Sequence, residues 1–287
     1  MDFPTITTDP APPHNHTHTV VFLHGRGDRA TSFADALTRW RDSRDRSLAE
    51  AFPTFRFVFP QAPTRKIAAA PESQGCPQWF DVWNVRDFAV HEDLQVSGLR
   101  EVVPAMRALL AAEAARLGGR WDRVVLAGIS MGAATGAHLL FNLDRPLGAF
   151  MGFCGRCPFA GRSLAQMREV LGLPDVPAHD AVLRETPVLL EHCVHDPLVL
   201  VQNGRQLRDT LLGFGAEVTW REYSEGGHWF KSPEGMDDVV AFLEAYVLKK
   251  TGEGGDGDVR MGRRGIGRHV ESAVDFGRKM ANYCSFK

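Results

Sequence analysis

The chain has 287 residues, a formal net charge of −2, 44% hydrophobic residues and 24% charged residues. That balance suits one large or two small globular domains, and it gives no electrostatic reason to bind nucleic acid or an anionic membrane surface. No apolar stretch approaches the ~20 residues a bilayer-spanning helix needs, and Met1-Asp2-Phe3-Pro4-Thr5 lacks the basic and apolar regions of a secretory signal.

Residues 1–18, rich in Thr, Pro and His, read as an extended leader. His14, His16 and His18 alternate there, which would place them on one side as a metal patch. With no acidic or cysteine partner nearby, they are read as solvated instead. Periodic structure begins at Thr19-Val20-Val21-Phe22-Leu23 and recurs at Phe55 to Phe59, Val124 to Ala127, Gly148 to Phe153, Val188 to Leu190 and Glu217 to Trp220. Short continuous apolar runs of this kind suit strands of a parallel sheet buried on both faces.

Helical patterns separate them. Asp93 to Leu117 carries Pro104 and is expected to kink or split into two helices. Asn203 to Gly213 and Met236 to Leu248 repeat apolar residues at helical spacing. Alternating strands and helices imply a doubly wound α/β sheet over residues 19–250. Residues 251–287 differ. Gly, Arg and Asp dominate to Arg268, too polar to offset the entropy of ordering, so a flexible tail with a weak helix over 269–287 is expected.

Chemistry is concentrated in Gly128-Ile129-Ser130-Met131-Gly132, between the run Val124 to Ala127 and the small-residue stretch Ala133 to Ala137. Strand, Gly-x-Ser-x-Gly, helix is the setting that makes a serine a nucleophile. The turn is sharp, the glycines let backbones pass closely, and the helix N-terminus favours developing negative charge. A serine nucleophile needs a base, and the base an orienting acid. Asp196, before Pro197 and beyond the run Val188 to Leu190, is the acid expected. His228, after Gly226-Gly227, is the base. The oxyanion requires donors: the backbone N–H of Met131, and that of Arg26 in the loop His24-Gly25-Arg26-Gly27-Asp28.

Taken in order, Leu23 to Asp28, Phe59-Pro60-Gln61-Ala62-Pro63, Trp79-Phe80-Asp81, Gly128 to Gly132, Asp196-Pro197 and Gly227-His228 resemble the phospholipase/carboxylesterase/thioesterase family of α/β hydrolases, which includes the acyl-protein thioesterases. The resemblance spans Thr19 to Leu248. It implies an α/β-hydrolase fold, a mostly parallel central sheet with helices on both faces and no large lid. It also implies Ser130, Asp196 and His228 as the catalytic set, oxyanion N–H groups at Arg26 and Met131, and hydrolysis of carboxylic esters, acyl thioesters or lysophospholipids without a cofactor. Expected partners are acyl esters or thioesters on small molecules, lipids or lipidated proteins, with no nucleic acid and with the chain a monomer or weak homodimer.

Trp79, with Phe80 and Trp83, could line an acyl groove. Asp28 and Asp81 are read as loop hydrogen-bonding residues. Five cysteines, at 76, 154, 157, 193 and 284, form a sparse odd set that argues against a disulfide framework and for a reducing, cytoplasmic compartment. Cys154-Gly155-Arg156-Cys157 has thioredoxin-like spacing, but it follows a central strand rather than opening a helix, so neither a redox nor a metal role is assigned to it. Two alternatives remain: a binding protein that keeps the hydrolase fold, and a peptidase or acyltransferase that uses the same three residues.

Overall fold

The computed structural model describes residues 2–249; the expected flexible tail lies outside the described residues. Among the described residues, nine strands occur in chain order: β1 (Thr5–Thr8), β2 (His18–Leu23), β3 (Phe55–Pro60), β4 (Thr64–Arg65), β5 (Cys76–Pro77), β6 (Val124–Ile129), β7 (Ala149–Phe153), β8 (Val188–Cys193) and β9 (Val218–Tyr223). Seven form one sheet in the order β1-β3-β2-β6-β7-β8-β9, and β4 pairs with β5 alone. All neighbours in the large sheet are parallel except β1, which runs antiparallel to β3.

Side-chain alternation along these strands builds a core on each face. Val21, Leu23, Leu126, Phe150 and Leu190 join one core, and Val20, Phe22, Ala127, Met151 and Leu189 the other. Helices cover both. On the first face lie α3 (Leu94–Arg116), α4 (Met131–Phe141), α5 (Leu164–Leu171), α6 (Ala181–Glu185) and α7 (Val201–Gly213). On the second lie α1 (Ala30–Leu37), α2 (Leu48–Ala51) and α8 (Glu234–Leu243), which runs into a π turn at Glu244–Leu248. This is the α/β-hydrolase arrangement. The connection from β7 to β8 holds only the short helices α5 and α6, and no large lid is evident.

Two elements differ from expectation. The stretch read as two helices or a kinked one is a single 23-residue helix, α3. Pro104 lies on its exposed side, while Val102, Val103 and Met106 are wholly buried. One missing N–H bond is outweighed by a packed face that keeps the helix continuous through the proline. The leader is extended, but it is not separate from the domain. Thr5 to Thr8 pair with Pro60 to Phe57 as the edge strand β1, and Phe3 meets the Trp79 ring edge-on at 5.7 Å.

The order β3-β2-β6-β7 leaves β2 and β6 adjacent, with connections departing in opposite directions. The crevice beyond the carboxyl ends of such a pair is where ligands bind in open α/β sheets.

Candidate active site

Ser130 stands at the carboxyl end of β6, at the N-terminus of α4, with φ 57° and ψ −119°. That is left-handed backbone, which a non-glycine residue adopts only where its surroundings hold it. They do so here. The Ser130 N–H donates to the Phe153 carbonyl at 2.8 Å, and the Ser130 carbonyl accepts from Ala134 N–H at 3.1 Å. A Cβ on Gly128 would lie 2.4 Å from the Gly132 carbonyl carbon, and one on Gly132 2.3 Å from the Leu23 carbonyl oxygen. Only glycine fits at either place, so strand and helix meet at a turn tight enough to lift the serine out of the sheet.

The loop after β2 closes against this elbow. A Cβ on Gly25 would sit 3.5 Å from Ser130 Cβ. His24 anchors the loop. Its Nε2 accepts from Ala62 N–H at 3.0 Å, so Nδ1 carries the proton and donates to the Gly25 carbonyl at 2.7 Å. Burial lowers the His24 pKa to about 4, which keeps it a neutral brace. Gly27 N–H donates to the Pro77 carbonyl at 2.7 Å. Arg26 Nε donates to the wholly buried Gln78 Oε1 at 2.8 Å, which fixes the guanidinium away from its own backbone. Among the described residues neither the Arg26 nor the Met131 backbone N–H is engaged by another group.

Asp196 follows β8, 2% exposed. Its Oδ1 accepts from Leu198 N–H at 2.8 Å and Val199 N–H at 3.0 Å. Its Oδ2 accepts from His228 Nδ1 at 2.7 Å. His192 Nε2 lies 3.4 Å from the same oxygen and donates to the Val199 carbonyl at 2.7 Å. Burial opposes the charge, but the hydrogen bonds from His192, His228 and Val199 outweigh it and hold the carboxyl well below the usual carboxylate range. An ionised Asp196 draws the His228 proton to Nδ1, so Nε2 is left as an acceptor. Gly226, at φ 121°, turns the chain into His228, and a Cβ there would fall 2.6 Å from Cys193 Sγ.

Every one of these groups therefore lies at a strand's carboxyl end: Arg26 after β2, Ser130 after β6, Asp196 after β8 and His228 after β9. Trp79 requires correction. It is wholly buried, and its Nε1 donates to the His24 carbonyl at 2.8 Å, so it braces the loop rather than lining a groove. Phe80 is likewise buried, whereas Trp83 is exposed. Asp81 and Asp28 accept loop N–H groups. His16 and His18 bond to Thr19 and Thr17 hydroxyls at the opposite end of β2.

Sequence reasoning gave His192 no role, although it stands four residues before Asp196. It weighed Cys154 only as half of a Cys-x-x-Cys pair and gave it no redox or metal role, yet its Sγ lies within 4.8 Å of ligand atoms of both Asp196 and His228. Cys157 makes no such approach, and both thiols are free. The His192 contact is local, made by the turn that closes β8, whereas spacing along the chain carries no signal for the Cys154 contact, because adjacent parallel strands create it.

Residues 10–247 match the phospholipase/carboxylesterase family. An acyl-protein thioesterase 1 of Gibberella zeae is 30% identical over 239 residues, covering 82% of this chain and 93% of that protein. An acyl-protein thioesterase 1 of Neurospora crassa is 28% identical over 82% of this chain and 89% of its own length. Among solved structures, acyl-protein thioesterase 2 of Zea mays superposes with a TM-score of 0.64 at 25% identity, covering 85% of this chain and 99% of that one. Esterase PE8 superposes with a TM-score of 0.61 at 24% identity, over 85% and 98%.

Proposed function

The chain belongs to the phospholipase/carboxylesterase family, and from that premise we propose that it hydrolyses carboxylic esters and acyl thioesters through an acyl-enzyme on Ser130. The observation that carries this reading is the 2.7 Å bond from His228 Nδ1 to a buried, ionised Asp196. A carboxylate so placed fixes the imidazole tautomer and stabilises the imidazolium when it forms.

His228 Nε2 takes the proton as Ser130 Oγ attacks the acyl carbonyl. The oxyanion is received by the Arg26 and Met131 N–H groups, each worth ~3–4 kcal/mol of barrier in comparable sites. Collapse expels the alcohol or thiol, which takes its proton from His228. Water activated by the same nitrogen then releases the acid and restores Ser130. No step needs a cofactor. The acyl-protein thioesterases among the relatives support a thioester-linked acyl chain on a lipid or protein as the natural substrate class. No helix among the described residues is long and apolar enough to cross a membrane, and a cytoplasmic setting suits buried free thiols.

A fluorophosphonate probe tests the nucleophile directly. Folded protein should gain one covalent adduct at Ser130, and Ser130→Ala none. A panel of aryl esters, acyl thioesters and matched amides then tests the reaction. Turnover confined to amides would overturn the assignment.

A further inference from the structure

Cys154 follows β7 directly, at φ 49°, with its side chain turned in beside the acid–base pair. Its Sγ, a carboxylate oxygen of Asp196 and a ring nitrogen of His228 all lie within 4.8 Å of one another. The three come from the carboxyl ends of β7, β8 and β9, so the sheet itself sets their spacing. A second sulfur is close. Cys154 Sγ donates to the Trp229 carbonyl at 3.5 Å, and Cys193 Sγ to the same oxygen at 3.8 Å. Trp229 is the residue after His228.

We propose that this cluster is an inhibitory site for a thiophilic divalent cation such as zinc, bound by Cys154 Sγ, Asp196 and His228 Nδ1, with solvent as the fourth donor. The proposal rests on the hydrolase reading above only for its effect on turnover. The donor set is one sulfur, one nitrogen and one oxygen. That composition favours zinc over magnesium or calcium, which take oxygen ligands. Zinc–ligand bonds of ~2.0–2.3 Å place tetrahedral donors roughly 3.3–3.8 Å apart. Nδ1 and Oδ2, now 2.7 Å apart, must separate by only about 1 Å. The imidazole, 13% exposed on the loop after Gly226-Gly227, is the side from which an ion arrives.

The protons balance simply. The Cys154 thiol loses its proton to solvent, and no electron is transferred. The proton on Nδ1 passes through solvent to Nε2 as the metal takes Nδ1, so the imidazole stays neutral. A neutral imidazole metallated at Nδ1 carries its one remaining proton on Nε2. Nε2 is then a donor and cannot accept from Ser130. Inhibition arises from this inverted tautomer, without the metal touching the nucleophile or the substrate.

The test uses full-length protein in buffered free zinc, with two readouts. Ester hydrolysis should fall with zinc and recover with chelator, while magnesium should leave it unchanged. Cobalt substituted for zinc should give a thiolate-to-cobalt charge-transfer band. In Cys154→Ser and Cys154→Ala, measured against each variant's own metal-free rate, the half-inhibiting zinc concentration should rise by about tenfold or more. The charge-transfer band should weaken. Equal zinc sensitivity in the parent and both variants, or a parent indifferent to zinc, overturns the proposal. A parent that hydrolyses no ester yet shows a Cys154-dependent cobalt band overturns the hydrolase reading and leaves the metal site standing.

Discussion

At Asp196, burial and hydrogen bonding pull in opposite directions, and hydrogen bonding prevails. The sign follows. A carboxylate depressed in the folded state contributes stability that is present above its unfolded value of ~3.9 and is lost only as pH falls toward the folded one. Asp196→Asn keeps the shape but removes the charge that fixes the His228 tautomer. A loss of ~10⁴ in kcat with a retained melting transition is expected, read by kinetics beside calorimetry. Glu191, two residues before Cys193, shows the reverse. Burial raises its pKa well above the carboxylate range, with the Asp238 charge adding to the effect and the Tyr223 hydroxyl opposing it only weakly. The folded state therefore holds a proton that the unfolded chain releases above pH ~4.3, and stability falls as pH rises. Glu191→Gln should raise the melting temperature near pH 8, by about 2–4 °C per kcal/mol recovered, and leave it unchanged near pH 4. At Arg26 the assigned donor is backbone, and the side chain is tied to Gln78. Arg26→Ala should keep kcat within about threefold, while Arg26→Pro, which removes the N–H, should lose ~10²–10³ in kcat at unchanged secondary structure by circular dichroism.

Among the elements, the elbow is limited by two backbones in contact. A methyl at Gly132 meets the carbonyl oxygens of Leu23 and His24 at 2.3 and 2.7 Å, and neither belongs to a side chain that can swing aside. Gly132→Ala should destabilise by ~3 kcal/mol or more in urea unfolding, at the upper end of overpacking, and should lower turnover further by shifting β2 against α4. In α3 the opposite applies. Pro104 is exposed and supports no packing, so Pro104→Ala restores a helix N–H and should stabilise by about 1–3 kcal/mol. These two elements also show what a sequence can carry. The six core strands were legible as apolar runs because both faces of the sheet are covered, and the positions of Ser130, Asp196 and His228 at strand ends were legible because each follows such a run. Helix α3 was misjudged because proline is a local signal and burial is not. Trp79 was misplaced and Cys154 passed over for one reason: a side chain's neighbours across the sheet are set by strand order, which no spacing along the chain encodes. Strand β1 escaped because Thr5 to Thr8 are exposed and carry no apolar rhythm.

On the scale of the whole molecule, β1 closes one edge of the sheet and links the N-terminal residues to the site. Phe3 packs on Trp79, Trp79 Nε1 holds the His24 carbonyl, and His24 holds the loop that carries Arg26. Removing residues 1–9 would leave β3 with an unpaired edge. Self-association in light scattering and a reduced kcat are expected together. Ser130 raises a different question about the molecule as a whole. Its backbone sits at φ 57°. A side chain there costs about 1–3 kcal/mol that glycine would not incur. Ser130→Gly should therefore melt higher than the parent while hydrolysing nothing. On that expectation the protein is less heat-resistant than its Ser130→Gly variant, and the serine proposed as nucleophile is kept at the expense of stability.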